Sequence, residues 1–188
     1  GSSVAIDPST GEILAMVNSP SYNPNLMVGR ERSRNYGKLL QDPDKPLFNR
    51  AMMAYYPPGS TFKIINSLIG LQEQVITPET FFSCAGGYRV GSIFVHCHPH
   101  PSPLDLRSAV ATSCNAYYCQ TFRAVIDNKK YDDTETAFNK WRDYVLSFGI
   151  GKKIDVDMPH ELKGNVPTVE YYNRFFGKGR WKSSTNNS

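Results

Sequence analysis

The chain has 188 residues, a net charge of +4, and 40% hydrophobic and 12% aromatic residues. It is long and apolar enough to bury a core, as one domain or a large piece of one, which excludes a disordered or low-complexity chain. No apolar run approaches the roughly 20 residues of a membrane span, no secretion signal stands at the start, and no basic stripe interleaves with aromatics. We therefore expect a soluble globular segment that does not bind nucleic acid.

Two short strands are predicted at the start of the chain. Val4–Ile6 and Ile13–Val17 are apolar, and between them lies the turn sequence Asp7-Pro-Ser-Thr-Gly11. Asp, Pro and Gly each favour a reversal of the backbone, so we predict a β-hairpin. Residues 19–49 are rich in Pro, Asn, Arg and Lys and have weak periodicity, and we expect them to form an irregular connection.

A helix is predicted to begin at Ser60, directly after Pro57-Pro-Gly59. These residues force an extended or turned backbone, which leaves Ser60 at the helix start, where free N–H groups and the helix dipole favour negative charge. The apolar residues of this helix fall on nearly all of its sides, which predicts burial within a domain. They are Phe62, Ile64, Ile65, Leu68, Ile69 and Leu71.

Ser60 and Lys63 share one face of this predicted helix, because residues three apart are neighbours on its surface. An amine beside a hydroxyl can remove its proton, so the pair is a candidate nucleophile and base for acyl transfer. The Ser-x-x-Lys spacing also arises by chance, and the alternative is a helix-capping Ser60 with a solvated Lys63. Burial of the helix favours the catalytic interpretation, because the lysine would then face a cavity or the protein interior.

Further elements are predicted in the second half of the chain. Short apolar runs at 88–90 and 93–95 predict a small hairpin or an ordered loop. Apolar residues at helical spacing predict three helices, at Leu104–Ala111, Asn115–Ile126 and Thr134–Phe148. Beyond Gly151 the chain is punctuated by Pro and Gly, and no regular element is predicted there.

Ser113-Cys-Asn115 stands in the short break between two of these helices. An acylated serine needs a group that passes a proton to the leaving nitrogen and a polar side chain that holds the substrate amide. Ser113 and Asn115 are candidates for both tasks. A plain N-cap at Ser113 is the alternative. The same spacing recurs at Ser21, Ser33 and Ser184, but the match at Ser113 alone lies between two predicted helices.

These features together resemble the transpeptidase domains of class B penicillin-binding proteins, which cross-link bacterial peptidoglycan. Within that family the chain is most similar to the elongation-type group, penicillin-binding protein 2. The similar strings occur in the family's order over essentially all 188 residues. They are Ala5-Ile-Asp-Pro-Ser-Thr-Gly-Glu-Ile-Leu-Ala-Met16, Asn49-Arg-Ala51, Pro58-Gly-Ser-Thr-Phe-Lys63, Ser113-Cys-Asn115, Phe148-Gly-Ile-Gly151 and Gly177-Lys-Gly-Arg-Trp181.

The resemblance implies an α+β fold of the penicillin-binding transpeptidase and serine β-lactamase-like kind, with helices packed on a mainly antiparallel sheet. Residues 1–188 would form part of one such domain, with a Cys/His-rich insertion at about 82–104. The family's third motif, Lys-[Ser/Thr]-Gly, does not occur in these residues, and we expect it further along a longer chain. Without it one oxyanion donor is missing, which typically costs about 10²–10³ in rate, so we expect this segment alone to react with β-lactams slowly or not at all.

The resemblance also implies a role for each candidate residue. Ser60 would be the nucleophile that peptidoglycan stem peptides and β-lactam antibiotics acylate, and its backbone N–H would form half of an oxyanion hole. Lys63 would be the base for acylation, although the base is disputed among related serine enzymes. Ser113 would relay a proton to the leaving group, and Asn115 would bind the acyl amide and hold Lys63.

Four cysteines and three histidines form a second unusual group. A disulfide between Cys84 and Cys97 would suit an oxidising compartment. The other interpretation is a structural zinc held by three thiolates and one imidazole. Some penicillin-binding protein 2 members are similar in carrying zinc at this place, which favours Cys84, Cys97, His100 and Cys114 as ligands. His98 is the rival for the imidazole, and Cys119 is expected to be a buried free thiol.

The resemblance further implies a periplasmic protein anchored in the inner membrane by an N-terminal segment. Its expected partners are a membrane glycosyltransferase and the elongation scaffold. Two other functions remain open: a serine β-lactamase or β-lactam sensor, which would use the same Ser60 and Lys63 chemistry, and a non-catalytic interaction domain stabilised by zinc. A β-lactamase must also hydrolyse its acyl-enzyme, and the sequence offers no Glu that can be identified as the activator of water.

Overall fold

The structure is a computed structural model that describes residues 1–178 and residue 181, in two compact units. The first unit comprises residues 1–56 and 153–164, and the second comprises residues 57–152 and those from 165 onward. Part of the string Gly177–Trp181 and the Ser-x-Asn match at Ser184 lie outside the described residues.

The predicted N-terminal hairpin is confirmed in the first unit. β1 (Ser2–Ile6) pairs antiparallel with β2 (Ile13–Asn18). The turn is held by the carboxylate of Asp7, which accepts hydrogen bonds from the backbone N–H of Ser9 at 2.8 Å and from its hydroxyl at 2.6 Å. The Asx turn anticipated from Asp and Gly is therefore what closes the hairpin.

The expectation of an irregular connection over residues 19–49 was wrong. That segment contains a short 3₁₀ turn and the helix α1 (Arg32–Gln41), and α2 (Arg50–Met53) follows it. In the described structure α1 buries none of its side chains, since it is mostly polar. Tyr36, Leu39 and Leu40 do lie at helical spacing, but polar residues dominate the segment and gave it the composition of a connection.

In the second unit the three predicted helices are confirmed, and their observed bounds are α4 (Leu106–Ala111), α5 (Asn115–Ile126) and α6 (Thr134–Ser147). The helix after Ser60 is α3 (Phe62–Gln72). A further helix, α7 (Val169–Phe176), was not predicted. It is only eight residues long and is capped by Thr168, whose hydroxyl accepts from the N–H of Tyr171 at 3.1 Å. Val169, Tyr172 and Phe176 lie at helical spacing, but the prediction for this region rested on its Pro and Gly residues and did not use that pattern.

α5 lies at the centre of the second unit, with α3 packed on one side and α6 on another. The shared core includes Ile69, Val125 and Val145, which are almost fully buried. α3 and α5 approach closely at Gly70, where an added Cβ would lie 2.9 Å from side-chain atoms of Ile76 and Thr121. The spacing of the two helices thus depends on the absence of a side chain at this position.

α3 is less buried than its apolar composition predicted. Ile64 is 50% exposed and Leu68 is 47% exposed, whereas Ile69 is 1% exposed. Full burial was therefore the wrong inference for the described residues. The helices of this unit contact α3 on the side that carries Ile69, and its other side faces outward.

The segment between Phe82 and Leu104 forms a long loop whose two ends are hydrogen-bonded to each other. Phe82 and Leu104 exchange two backbone hydrogen bonds of 3.0 Å at its base. Within it, β3 (Gly87–Val90) and β4 (Ile93–His96) pair antiparallel beside α5, which confirms the second predicted hairpin. Helices with two small antiparallel sheets make up an α+β chain, as predicted. That residues 1–188 belong to one domain stays a prediction.

Within the described ranges, every helix is too short or too polar to cross a bilayer.

Glu73 is a buried, charged side chain of the second unit that has several hydrogen-bond partners. It is 3% exposed at the end of α3, and it accepts hydrogen bonds from Lys130 Nζ at 2.7 Å and from the Tyr131 hydroxyl at 2.9 Å. Burial raises the pKa of Glu73, but hydrogen bonds from Lys130, Tyr144 and Tyr131 outweigh burial and hold the pKa below its ordinary value of 4.5. A buried carboxylate with such partners stabilises the fold only while it is ionised.

We predict that Glu73→Gln lowers the free energy of unfolding by about 2 kcal/mol at pH 7, as expected for hydrogen bonds to a charged group. Because the folded-state pKa is lowered, the stabilisation is present above about pH 4.5 and is lost as the pH falls through the folded-state pKa. Urea unfolding of both proteins at a series of pH values measures this. The exposed Glu79→Gln is the matched control. A gap between wild type and Glu73→Gln that stays constant down to pH 2 would contradict the prediction.

Candidate active site

Ser60 lies in a short 3₁₀ turn, Gly59–Thr61, that runs directly into α3. Gly59 has φ +58°, a left-handed backbone that glycine adopts without strain. The turn is tightened by Thr61, whose hydroxyl donates to the carbonyl of Pro58 at 2.6 Å. Ser60 thus stands at the start of a helix, as the sequence predicted, and its side chain is exposed.

Lys63 extends from the first turn of α3 to the break between α4 and α5. Its Nζ donates to the carbonyl of Ser113 at 2.5 Å, to the Ser113 hydroxyl at 2.9 Å and to Oδ1 of Asn115 at 2.6 Å. An ammonium has three N–H donors, so all of them have an acceptor. The interpretation of Lys63 as a solvated surface residue is excluded by this geometry.

The Ser113 hydroxyl lies between Ser60 and Lys63. It donates to the Ser60 hydroxyl oxygen at 2.9 Å and accepts from Lys63 Nζ. Lys63 and Ser60 share a face of the helix start, but among the described hydrogen bonds they are joined through Ser113 rather than directly. The three groups form a continuous path along which a proton can move in either direction, because hydroxyl hydrogens rotate.

The break between α4 and α5 presents Ser113 in an unusual backbone conformation. Its φ is +53°, which is uncommon for a residue with a side chain and costs energy that the surrounding structure must offset. Two hydrogen bonds hold the turn, from Ser113 N–H to Val110 at 3.1 Å and from Cys114 N–H to Ala109 at 3.0 Å. The conformation aims the hydroxyl at Ser60 and leaves Cys114, not Ser113, as the N-cap of α5. The simple N-cap interpretation of Ser113 is thus wrong.

Asn115 connects Lys63 to the hairpin of β3 and β4. Its Oδ1 accepts from Lys63, and its Nδ2 donates to the backbone carbonyl of His96 at 2.7 Å. The two bonds fix which way the side-chain amide points. One of the two N–H groups on Nδ2 remains for another acceptor.

The pKa of Lys63 is lowered from its ordinary value of 10.5. Partial burial lowers it, and the nearby thiols of Cys114, Cys97 and Cys119 oppose the shift when they are ionised. A lowered pKa increases the fraction of neutral amine at a given pH, and only the neutral amine can accept a proton. Lys63 is thus better suited to act as a base than a lysine in water.

Four ligand atoms meet directly behind this site. They belong to Cys84, Cys97, His100 and Cys114, and all lie within 4.8 Å of one another. All four cysteines of the chain, each of them described, carry free thiols. The structure therefore brings together the predicted ligand set and not the predicted Cys84–Cys97 disulfide. His98 is exposed and outside the cluster, and Cys119 is a free thiol that is only partly buried.

The orientation of His100 fits a metal ligand. Its Nδ1 lies 2.7 Å from the carbonyl of Pro101, and because a carbonyl can only accept, Nδ1 carries the proton. The lone pair is then on Nε2, which is buried without a hydrogen-bond partner in the described structure. A buried polar atom without a partner is costly, and a cation at the centre of the cluster would supply the partner.

Backbone N–H groups at the start of α5 point at two of the sulfurs. Ala116 donates to Cys97 Sγ and Tyr117 donates to Cys114 Sγ, both at 3.3 Å. Burial raises the pKa of Cys114 to about 11. Burial raises the pKa of Cys97 as well, but hydrogen bonds, the largest of them from the Ala116 N–H, outweigh burial and lower this pKa to about 7. The donor set of three thiols and one imidazole is the kind that binds Zn²⁺.

The sequence did not identify three groups that contact the site: the His96 carbonyl, Ser67 and Tyr118. The carbonyl has no sequence signal. Tyr118 was placed on a helix face but not at the site, although it stands three residues after Asn115 and therefore lies on the same face of α5. Its ring centroid is 5.6 Å from Lys63 Nζ.

The chain was compared with protein families and curated relatives. The family profile described as "Penicillin binding protein transpeptidase domain" matches residues 1–186. The peptidoglycan D,D-transpeptidase MrdA of Acinetobacter baumannii is 34% identical over 185 residues, which cover 96% of this chain and 26% of the relative. The chain thus spans about a quarter of the length of that relative.

Solved structures give the same result for the fold. The complex between penicillin-binding protein PBP2 and MreC from Helicobacter pylori matches with a TM-score of 0.78 and 25% identity, covering 98% of this chain and 34% of that chain. The imipenem acyl-enzyme of penicillin-binding protein A from M. tuberculosis matches with a TM-score of 0.72 and 27% identity, covering 100% of this chain and 42% of that chain. The predicted penicillin-binding α+β fold is confirmed.

We predict that the cluster thiols of metal-free protein react in a fixed order. After chelation at pH 7, a limiting amount of iodoacetamide should modify Cys97 first and Cys114 last, because Cys97 is more acidic and Cys114 is 1% exposed. Peptide mass spectrometry measures the order. Cys97→Ser, which keeps Cys114 in place, is the control for the assignment of the first adduct. Modification of Cys114 before Cys97 would contradict the described packing.

Proposed function

Because this chain belongs to the penicillin-binding protein transpeptidase domain family, we propose that it is part of a peptidoglycan D,D-transpeptidase that works through a serine acyl-enzyme. The observation that carries the proposal is the path from Ser60 through Ser113 to Lys63, with Oγ–Oγ and Nζ–Oγ distances of 2.9 Å. A nucleophile, a relay and a base in hydrogen-bond contact are what acyl transfer requires.

In acylation, the Ser60 oxygen attacks the carbonyl carbon of a D,D-peptide bond in a stem peptide. The Ser60 proton passes to the Ser113 oxygen, and the Ser113 proton passes to the neutral amine of Lys63. The negative charge that develops on the substrate oxygen is stabilised by the backbone N–H of Ser60, which lies at the start of α3. Asn115 holds the substrate's acyl amide with the N–H of Nδ2 that the His96 carbonyl does not use.

The carbonyl then re-forms and the leaving amine departs with a proton that returns from the Lys63 ammonium through Ser113. An ester between Ser60 and the donor peptide remains. The amine of an acceptor stem peptide attacks this ester and forms the new peptide bond. Its proton returns along the same path to the Ser60 oxygen, which leaves the site ready for another cycle. In the structure Lys63 donates to Ser113 and Ser113 donates to Ser60. These directions are the ones expected for a protonated lysine that returns its proton through Ser113.

β-Lactams are expected to acylate Ser60 because their strained amide is attacked in the same way. The likeness of this chain to the imipenem acyl-enzyme of the M. tuberculosis protein supports this. A β-lactam-hydrolysing enzyme is the alternative within the same chemistry, and its acyl-enzyme would decay within minutes. The sequence identity of 34% to the D,D-transpeptidase MrdA favours the cross-linking enzyme.

The metal that fits the cluster best is zinc. Cys84, Cys97, His100 and Cys114 would hold it, and the unpartnered Nε2 of His100 supports the assignment. When bound, zinc would join the segment 84–100 to the break before α5 and would take no part in acyl transfer. The catalytic residues themselves need no cofactor.

The proposed activity places the protein at the outer face of the inner membrane, in the periplasm, where peptidoglycan is assembled. We propose a membrane glycosyltransferase and the elongation scaffold as its partners. The likeness to PBP2 solved with MreC supports a scaffold partner.

We predict that a β-lactam adds its mass to the full-length protein and that Ser60→Ala abolishes the adduct. Lys63→Ala should reduce the second-order rate of acylation by at least about 10²-fold, because general acid–base catalysis contributes about 10²–10⁴. Intact-mass spectrometry over time measures both effects. Ser33→Ala is the matched control, because Ser33 is an exposed serine of α1 in the first unit and has the same Ser-x-Asn spacing. Ser60→Ala that still gains the drug mass would refute the nucleophile, and loss of the wild-type adduct within minutes would favour the β-lactamase.

We predict about one equivalent of zinc in the purified full-length protein. His100→Ala should lose most of it, because it removes a ligand, whereas His98→Ala should keep it. Elemental analysis of the three proteins, together with thiol titration before and after chelation, measures this. Less than about half an equivalent in the wild type, with no new thiols after chelation, would contradict the zinc assignment.

A further inference from the structure

Tyr118 contacts Lys63 at the amine. The ring centroid lies 5.6 Å from Nζ, within the range of a cation–π interaction. The three hydrogen bonds of Nζ all run to Ser113 and Asn115, so the ring is a further neighbour of the amine that takes none of its hydrogens. Tyr118 is 5% exposed, so its ring is held in place by the surrounding core.

Tyr118 also contacts Lys63 at the backbone, through Ser67. The Tyr118 hydroxyl is 2.8 Å from Ser67 Oγ, and Ser67 Oγ is 2.9 Å from the carbonyl of Lys63. Because the carbonyl can only accept, the Ser67 hydroxyl donates to it, and the Tyr118 hydroxyl therefore donates to Ser67. The Tyr118 side chain thus contacts the Lys63 amine directly and the Lys63 carbonyl through Ser67.

The helical spacing explains this arrangement. Lys63 and Ser67 are four residues apart on α3, and Asn115 and Tyr118 are three residues apart on α5, so each pair shares one helix face. The two faces meet where the helices pack. Asn115 holds the end of the lysine side chain while Tyr118 lies along it.

We infer that Tyr118 is a positioning residue for Lys63, which fixes the amine against Ser113 during acyl transfer. This inference rests on the proposed role of Lys63 as the base. A lysine has four rotatable bonds, and a rigid buried ring restricts them without forming or breaking a bond itself. A displacement of about 1 Å in a reacting group can cost about 10²-fold in rate, so loss of the ring that holds Lys63 in position should slow acylation.

The test is the second-order rate of Ser60 acylation by a fluorescent penicillin in the full-length protein. Tyr118→Leu, which removes the ring, should lower this rate about 10- to 100-fold. Tyr118→Phe keeps the ring and loses only the hydroxyl, and it should stay within about 3-fold of the wild type, as a rescue by the conservative variant. Phe122→Leu is the matched control, because Phe122 is an aromatic residue one turn further along α5 that packs on Trp141.

The thermal midpoint of each variant is measured beside the rate. A purely structural role predicts that Tyr118→Leu and Phe122→Leu lose rate in proportion to their loss of stability, and that result would overturn the inference. Should Tyr118→Leu fail to fold, Tyr118→Met replaces the rigid ring with a flexible side chain and carries the same expectation. A wild type that no penicillin labels refutes the proposed function, whereas a labelled wild type with an equally fast Tyr118→Leu refutes only the inference.

Discussion

The organisation of this site depends on a single ammonium group that reaches from one helix to the start of another. Lys63 leaves α3 and donates all three of its hydrogens to Ser113 and Asn115. Partial burial makes these bonds stronger than they would be in water and also makes an unpaired charge costly. The lysine therefore both fixes the break before α5 and depends on it, and the position of Ser113 against Ser60 follows from that bond.

The three consecutive residues 113–115 contribute both to the site around Lys63 and to the thiol cluster. Ser113 and Asn115 point toward Lys63, while Cys114 between them points into the thiol cluster and caps α5 with its sulfur. Ser113 has a left-handed backbone, in the middle of the three residues that separate α4 from α5. The carbonyl of His96, next to Cys97, accepts from Asn115 and forms a second link between the cluster and the proposed catalytic side chains.

Short sequence patterns predicted the structural features that depend on residues close together in the chain. The hairpin closed by Asp7, the helices α4 to α6 and the pairing of Ser60 with a lysine on one helix face all follow from spacing along a few residues. α1 was missed because polar residues dominate it, and α7 because it lies in a segment punctuated by Pro and Gly, although both carry apolar residues at helical spacing. The location of the Ser113 hydroxyl between Ser60 and Lys63, and of Tyr118 against the amine, depends on contacts across more than 50 positions, which no short pattern encodes. The metal ligands were named with help from family resemblance, since their spacing fits no common finger.

The close approach at Gly70 has a consequence for how this protein can vary. A methyl group there would lie 2.9 Å from side-chain atoms of Ile76 and Thr121, and any overlap that these side chains cannot relieve would displace α3 along α5. Hydrophobic contacts tolerate such a slide, because they have no preferred direction. Hydrogen bonds of 2.5 to 2.9 Å at Lys63 do not. Catalytic rate would thus report the separation of these two helices more sensitively than melting temperature, and a folded but inactive variant is the expected outcome of a substitution far from the nucleophile.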